Sequence, residues 1–308
     1  MQQMKALKKF LKIILYPLLW IYRKKQYRRY SMMSPKRLAE ILHRKYFKRN
    51  IDWENPRDLN EKIRWMQFYT DTSEWSRLAD KYAVREYIQE KGYGDILVKL
   101  YGKWDKAEDI DFDSLPNSFI LKTNHGSGEI IAIKDKQNVD LEKVRRKMQK
   151  YLETPFGVIS AEPHYLKIKP CIIAEELLIQ DGNISSSLID YKFFCFHGKP
   201  VACGVFYDRD MKTHRNGMTP YDMEWNKHEE WRKENLTASF KDIPCPVTFE
   251  RMKQACHDLA SQFPFVRMDF YEVNGHLYFG EFTFTPAALN GGSFTQERMI
   301  EWGNLLKL

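Results

Sequence analysis

Near the C-terminus, two β-type runs at residues 265–272 and 276–284 flank Asn274-Gly275, the strongest short-range hairpin signal a sequence carries. A hairpin fixes its strands as antiparallel, so the later part of the chain should be built on an antiparallel sheet. Further β-type runs at 118–122, 129–134, 171–179, 187–196 and 200–207 are consistent with that. Helical periodicity precedes them at 35–48, at 60–70 opening on Asn60, and at 74–91 ending in Gly92-Tyr93-Gly94. Two more helices are expected at 140–153 and 247–261, and residues 211–246 read as a polar segment with few strong signals. Helices first, then a largely antiparallel sheet with interspersed helices, is an α+β arrangement.

Charge divides the chain. The net charge is +8, yet residues 1–50 hold fifteen Lys/Arg against one acidic residue, and the remainder is negative overall. A nucleic-acid enzyme keeps its basic face on the folded body, so nucleic acid is not the expected partner. Lys5, Lys8, Lys9 and Lys12 precede the apolar run 13–22, and Arg23, Lys24, Lys25, Arg28 and Arg29 follow it. That run is shorter than the roughly 20 residues a spanning helix needs, and no small-residue cleavage site follows it. With Trp20 and Tyr22 at its end, it suits the headgroup region of an anionic membrane surface. Packing on the body or on a partner protein is the other reading of residues 1–30. The five cysteines show no CxxC pair and no zinc spacing, as expected of buried reduced thiols in a cytoplasmic protein at the inner face of the membrane.

No phosphate-loop lysine motif, nucleophile elbow or HExxH helix is present. Two constellations carry more chemistry. Lys122 ends an apolar strand and is followed by Thr123-Asn124-His125-Gly126-Ser127-Gly128, a cation beside backbone N–H groups able to cradle phosphate oxygens. Arg267-Met268-Asp269 and Gly280-Glu281-Phe282-Thr283 lie on the two strands of the hairpin. By parity, a two-residue turn would put Asp269 and Glu281 on opposite faces. A three-residue loop, 273–275, would pair Glu272 with His276, set Arg267 opposite Glu281 and leave Asp269 diagonally beside it. Two carboxylates converging in that way call for a cation, and magnesium bridging to nucleotide phosphates is the natural candidate; an Arg267 salt bridge is the simpler alternative. Asp208-Arg209-Asp210 is a DxD triplet of the kind glycosyltransferases use to hold a metal.

In order along the chain, Asp58-Leu59-Asn60-Glu61-Lys62, Leu78-Ala79-Asp80-Lys81-Tyr82, Phe119–Lys122 with Asn124–Gly128, Glu175-Glu176, Asp190–Phe194 with His197-Gly198-Lys199, Phe265–Asp269 and Gly280-Glu281 resemble an ATP-grasp enzyme of the TupA-like branch, named for teichuronopeptide synthesis. The resemblance implies two lobes clasping ATP, with residues 1–30 as leader, 31–110 as a helical region and 111–308 as the ATP-grasp core. It implies ATP and Mg2+ as cofactors. Lys81 and Lys122 would meet the nucleotide phosphates under the loop Asn124, His125, Gly126, Ser127 and Gly128. Glu175, Glu176 and Leu178 would form the adenine hinge. Asp269, Glu281 and Thr283 would hold the metal, with Lys192 and Arg267 near the transferred phosphoryl group. Superfamily members commonly carry Asn where this chain has Thr283, and glycine after the proline where it has Ala287-Ala288. The implied activity is a carbon–nitrogen ligase that amidates a uronic acid of a cell-surface polysaccharide, or its lipid-linked precursor, with an amino acid or other amine. A glycosyltransferase and a non-catalytic nucleotide-binding scaffold are the rival readings.

Overall fold

The computed structural model describes residues 24–180, 182–210, 215–233 and 240–308. After helical residues 24–31 come α1 (Pro35–Phe47), α2 (Leu59–Tyr69), α3 (Ser73–Ala79) and α4 (Val84–Glu90). Helix α2 opens one residue earlier than the periodicity suggests because Asp58 is its cap, accepting from the Glu61 amide at 3.0 Å. The helix expected over 74–91 is two. Asp80 Oδ1 accepts from the amides of Tyr82 and Ala83, at 2.8 and 3.2 Å, and this local turn competes with helix continuation.

Two antiparallel sheets follow. The first, in the order β1-β4-β2-β3, comprises β1 (Leu100–Trp104), β2 (Phe119–Thr123), β3 (Ile130–Ile133) and β4 (Ile172–Glu175). Strand β1 lies within the region read as helical, so the sheet begins before residue 111. Helix α5 (Leu141–Leu152) covers one face, burying Val144 and Met148 on Phe119, Leu121 and Ile133. The spacing of the helix pair and the alternation of the strand pair are the two periodicities of a helix laid on a sheet.

The second sheet, in the order β7-β6-β5-β8-β9, comprises β5 (Asp190–Phe196), β6 (Lys199–Asp210), β7 (Arg215–Tyr221), β8 (Phe265–Val273) and β9 (His276–Thr283). Helix α6 (Phe249–Ala260) packs Met252, Ala255, Cys256 and Leu259 into a core shared with Phe193, Met268, Phe270 and Phe282. Helices α2 to α4 and the C-terminal α7 (Gln296–Leu305) join that same core, separate from the one under α5. The two cores make two lobes. Four of the five cysteines are buried and all five are free; Cys245 is exposed. No helix among the described residues is long and apolar enough to cross a membrane, and the run 13–22 lies outside them.

Candidate active site

Register across the second sheet assembles one charged row. Lys192 on β5 pairs with Asp269 on β8, and Asp269 pairs with Glu281 on β9, so all three share a face. Arg267 and Thr283, opposite one another two residues away, join them. The hairpin turn itself corrects the sequence reading. Val273 pairs with His276, leaving the two-residue turn Asn274-Gly275, with φ of 53° and 73°. Parity is restored by a bulge between Asp269 and Phe270, which inserts Gly280 between Phe279 and Glu281. Glu281 therefore stands opposite Asp269, and Arg267 stands opposite Thr283. Position 280 requires glycine, because a Cβ there would sit 2.8 Å from the Asp269 carbonyl oxygen.

Both oxygens of the buried Asp269 are engaged. Arg267 donates to them at 2.6 and 2.7 Å, and Lys192 donates to Oδ2. Burial alone would raise the Asp269 carboxyl, but Arg267 first and Lys192 second outweigh it and hold the group below the ordinary carboxylate range. Arg267 also donates to Glu281 Oε1 at 3.2 Å and to Thr283 Oγ1 at 2.9 Å. Glu281 is 32% exposed, and its Oε2 has no hydrogen-bond partner among the described residues.

The first sheet supplies the opposing wall. Ile120 pairs with Glu175, so Lys122, two residues along β2, shares its face. Lys122 Nζ lies 2.5 Å from Glu175 Oε2, and Arg85 of α4 lies 3.3 Å from Oε1. Glu176, whose amide donates to Lys99 O at 2.9 Å, and Leu178 continue as irregular chain beyond β4. The break between α3 and α4 delivers Lys81: its amide donates to Asn124 O at 3.1 Å and its ammonium to Gly126 O. Burial first and the nearby Lys122 charge push the Lys81 ammonium down against the pull of Glu281, so both walls act on it. In the loop, Asn124 is a structural pin, accepting from Cys171 N at 2.7 Å and donating to Lys169 O at 3.0 Å. His125 Nε2 lies 3.3 Å from Thr154 O, and Ser127 and Gly128 are exposed at the rim.

A cavity of about 540 Å³ adjoins the charged row. Lys192, Arg267, Arg209 and Asn216 supply polar groups, and Phe156, Tyr165, Phe194, Phe206 and Phe294 supply aromatic ones. Leu59, Asn60 and Ile63 of α2 close one side, and the Pro286–Leu289 turn borders another. In that turn Ala287, Ala288 and Leu289 all have φ of 50–56°, a left-handed stretch that L-residues avoid. The buried Arg64 of α2 donates to Ala288 O at 2.9 Å and to Ala161 O at 2.6 Å, tying the turn to its surroundings. Asp208 of the DxD triplet is committed to Lys241 at 2.5 Å and to the Ser186 amide at 2.9 Å, and Arg209 pairs with Asp190.

A family model for TupA-like ATP-grasp proteins matches residues 61–307. The chain belongs to the TupA-like ATP-grasp family. The family is one of ATP-dependent carboxylate–amine ligases. No curated protein matches the chain. Among solved structures, D-alanine–D-alanine ligase from Bacillus anthracis complexed with ATP matches at 14% identity and a TM-score of 0.45, over 74% of this chain and 61% of that one. L-amino acid ligase from Bacillus licheniformis matches at 10% and 0.46, over 81% and 55% respectively. The chain thus spans about three-fifths of the length of the first solved structures it matches.

For the charged row, magnesium is the ion the family resemblance implies. Among the described residues no three His, Cys, Asp or Glu side chains converge in ligating geometry. Magnesium in nucleotide sites keeps waters and phosphate oxygens and takes only one or two carboxylates. The open oxygen of Glu281, with Thr283 and Asp269 beside it, fits that requirement. Arg85, Val98 and Phe279, which line a small crevice with Lys122 and Glu175, belong to no motif. Arg85 follows Lys81 by four residues, and that spacing was the available signal.

Proposed function

We propose that this protein is an ATP-dependent ligase that activates a carboxylate, that of a sugar acid, as an acyl phosphate and joins it to an amine. The observation that carries the reading is the convergence of Lys192 and Arg267 on Asp269 and Glu281, with Lys81 within electrostatic reach of both Glu281 and Lys122, beside an aromatic-walled cavity. Phosphoryl transfer to a carboxylate brings two anions together, and it needs positioning and charge neutralisation more than covalent help. Lys81 and Lys122 hold the phosphates. Lys192 and Arg267 release part of their hold on Asp269 and face the transferred phosphoryl group and the incoming carboxylate. Glu281 and Asp269 with Thr283 would hold magnesium, which would supply charge neutralisation there. The loop 124–128 closes over the phosphates and keeps water from the acyl phosphate.

The cavity favours a sugar acid. Aromatic rings offer flat faces to a pyranose, Asn60 and Asn216 offer hydrogen bonds to hydroxyls, and Arg209, although paired with Asp190, adds positive charge to the lining. A uronic acid of a surface polysaccharide or its lipid-linked precursor, joined to an amino acid, meets these requirements. A membrane-seeking segment at residues 1–30 on the cytoplasmic side of the membrane suits a lipid-linked acceptor. The glycosyltransferase reading loses its metal pair, because Asp208 is occupied by Lys241 and Ser186.

The test is ADP release from ATP across uronic-acid glycans and amino acids, with products read by mass spectrometry. The expected pattern is release that requires the glycan, rises with the amine, and yields an amide lighter than its two components by one water. Asp269→Asn and Lys122→Ala should each lower turnover roughly 100-fold or more in protein that still folds, as checked by thermal melting. Sugar transfer from a nucleotide sugar with ATP irrelevant, or near-normal turnover in both variants, would overturn the reading.

A further inference from the structure

We propose that Arg85 sets the base preference of the nucleotide site by acting as the permanent counter-charge of Glu175; this rests on the ATP reading above. Glu175 is buried at the end of β4, between Lys122 at 2.5 Å and Arg85 at 3.3 Å. A buried carboxylate stays ionised only while it is paired. Of its two partners, Lys122 has a second claimant, because nucleotide phosphates entering the cleft draw the ammonium toward themselves. Arg85 has none. Its other fork is fixed by donation to Val98 O at 2.9 Å, and its side chain is rooted in α4 behind the crevice. When phosphate takes Lys122, the charge on Glu175 is therefore left to Arg85.

The consequence is chemical selectivity. Leu97, Val98 and Phe279 give the crevice apolar walls, and Glu175 is its carboxylate. The crevice holds only about 10 Å³ as it stands, so a base enters by parting the two sheets. An ionised carboxylate can only accept hydrogen bonds. The exocyclic amine of adenine donates one, whereas guanine presents a carbonyl oxygen at the same position and is repelled. Without Arg85, Lys122 is the one counter-charge left to Glu175 and stays on the carboxylate, which is then no longer presented to the base. ATP loses its acceptor for the exocyclic amine, and guanine no longer meets the repelling carboxylate. The gap between ATP and GTP narrows.

The experiment measures Mg-ATP and Mg-GTP dissociation constants by titration calorimetry on the full chain, for wild type, Arg85→Met, Arg85→Gln and Arg85→Lys, each checked by thermal melting. Wild type should prefer ATP. Arg85→Met should bind ATP on the order of tenfold or more weakly, with the ATP-to-GTP preference reduced at least as much, as expected from one buried charged contact. Arg85→Lys, which restores the charge, should recover most of the preference. Arg85→Gln keeps a donor for Val98 without the charge, and it carries the test if Arg85→Met does not fold. A folded neutral variant with the wild-type preference overturns the proposal, as does a loss of ATP and GTP affinity in equal proportion. A wild-type chain that binds no Mg-ATP overturns the ATP reading itself, and a wild type that binds ATP separates that failure from the failure of Arg85.

Discussion

Lys81 and Lys122 both face the cleft, yet their surroundings differ. Lys122 has a carboxylate partner in Glu175, while Lys81 donates to the Gly126 carbonyl, is largely buried, and lies close enough to Lys122 to be repelled by it. The Lys81 ammonium therefore titrates below the ordinary lysine range, burial being the first cause. The sign of the coupling follows. Below its lowered pKa the group is already charged, and phosphates find the cation in place. Above it the free protein holds a neutral amine, and arriving phosphates draw a proton back onto it. ATP binding should thus take up a growing fraction of a proton as pH rises toward the ordinary lysine range, and affinity should fall over the same interval. Calorimetry in two buffers of different ionisation enthalpy measures that fraction. Lys81→Met should abolish the uptake; an unchanged uptake would place the titrating group elsewhere.

At the scale of elements, the turn and the bulge of the β8–β9 hairpin have to be considered together. Asn274-Gly275 alone would put the two carboxylates on opposite faces, and the extra residue at Gly280 brings them back to one. Gly280→Ala should open this device, since the new methyl would press on the Asp269 carbonyl at 2.8 Å. The expected cost is about 1–3 kcal/mol in urea unfolding, together with weaker Mg-ATP binding as Asp269 and Glu281 separate. Wild-type affinity in that variant would show that their opposition is not needed. The shared face of these carboxylates was legible in the sequence as a requirement of the chemistry, but its cause was not. Counting every second residue cannot see a bulge. Strand β7 was hidden for a related reason: its Asn216-Gly217 and Pro220 read as loop, and Pro is tolerated there because β7 is an edge strand. Gly217 is itself needed, since a Cβ would collide with the Tyr207 ring. The helix over 74–91 looked continuous because its apolar period runs through the Asp80 turn that places Lys81. By contrast, α5 and the apolar run of β2 were legible, since α5 packs Val144 and Met148 on Phe119 and Leu121.

Across the whole molecule, the N-terminal helices are fastened to the catalytic lobe by a buried polar knot and carry the basic surface outside it. Asp58 and Glu61 at the start of α2 both pair with Arg49, and Gln296 of α7 donates to Asp58 at 2.7 Å. Burial would raise Glu61, but His43, the Arg57 amide and Arg49 outweigh it and bring it from 4.5 to about 2. Stability from this group is present above about 4.5 and is lost as pH falls toward about 2; urea unfolding should record a fall that Glu61→Gln flattens in this window. Beyond this knot, Tyr30 and Met33 pack on Leu38, Ala39 and Leu42 of α1, so the folded body reaches back into the basic region. Lys24, Lys25, Arg28, Arg29, Arg37, Arg44, Lys45 and Lys48 are exposed around it. Residues 1–23, outside the described structure, add Lys5, Lys8, Lys9, Lys12 and Arg23 around the apolar run 13–22. The two parts should act differently on a membrane. Each cation near an anionic surface contributes about 1 kcal/mol at low salt, and that attraction is screened as the Debye length contracts to about 3 Å at 1 M. Burial of the apolar run is not screened. Vesicles rich in anionic lipid should therefore sediment the full chain at low salt and still retain part of it at 1 M. A chain starting at residue 24 keeps the Tyr30 packing and should bind Mg-ATP normally, sediment more weakly at low salt and be fully released at 1 M. Equal sedimentation of the two chains at both salt concentrations would mean that residues 1–23 contribute nothing to vesicle binding, and that any such binding comes from the basic surface of the folded body.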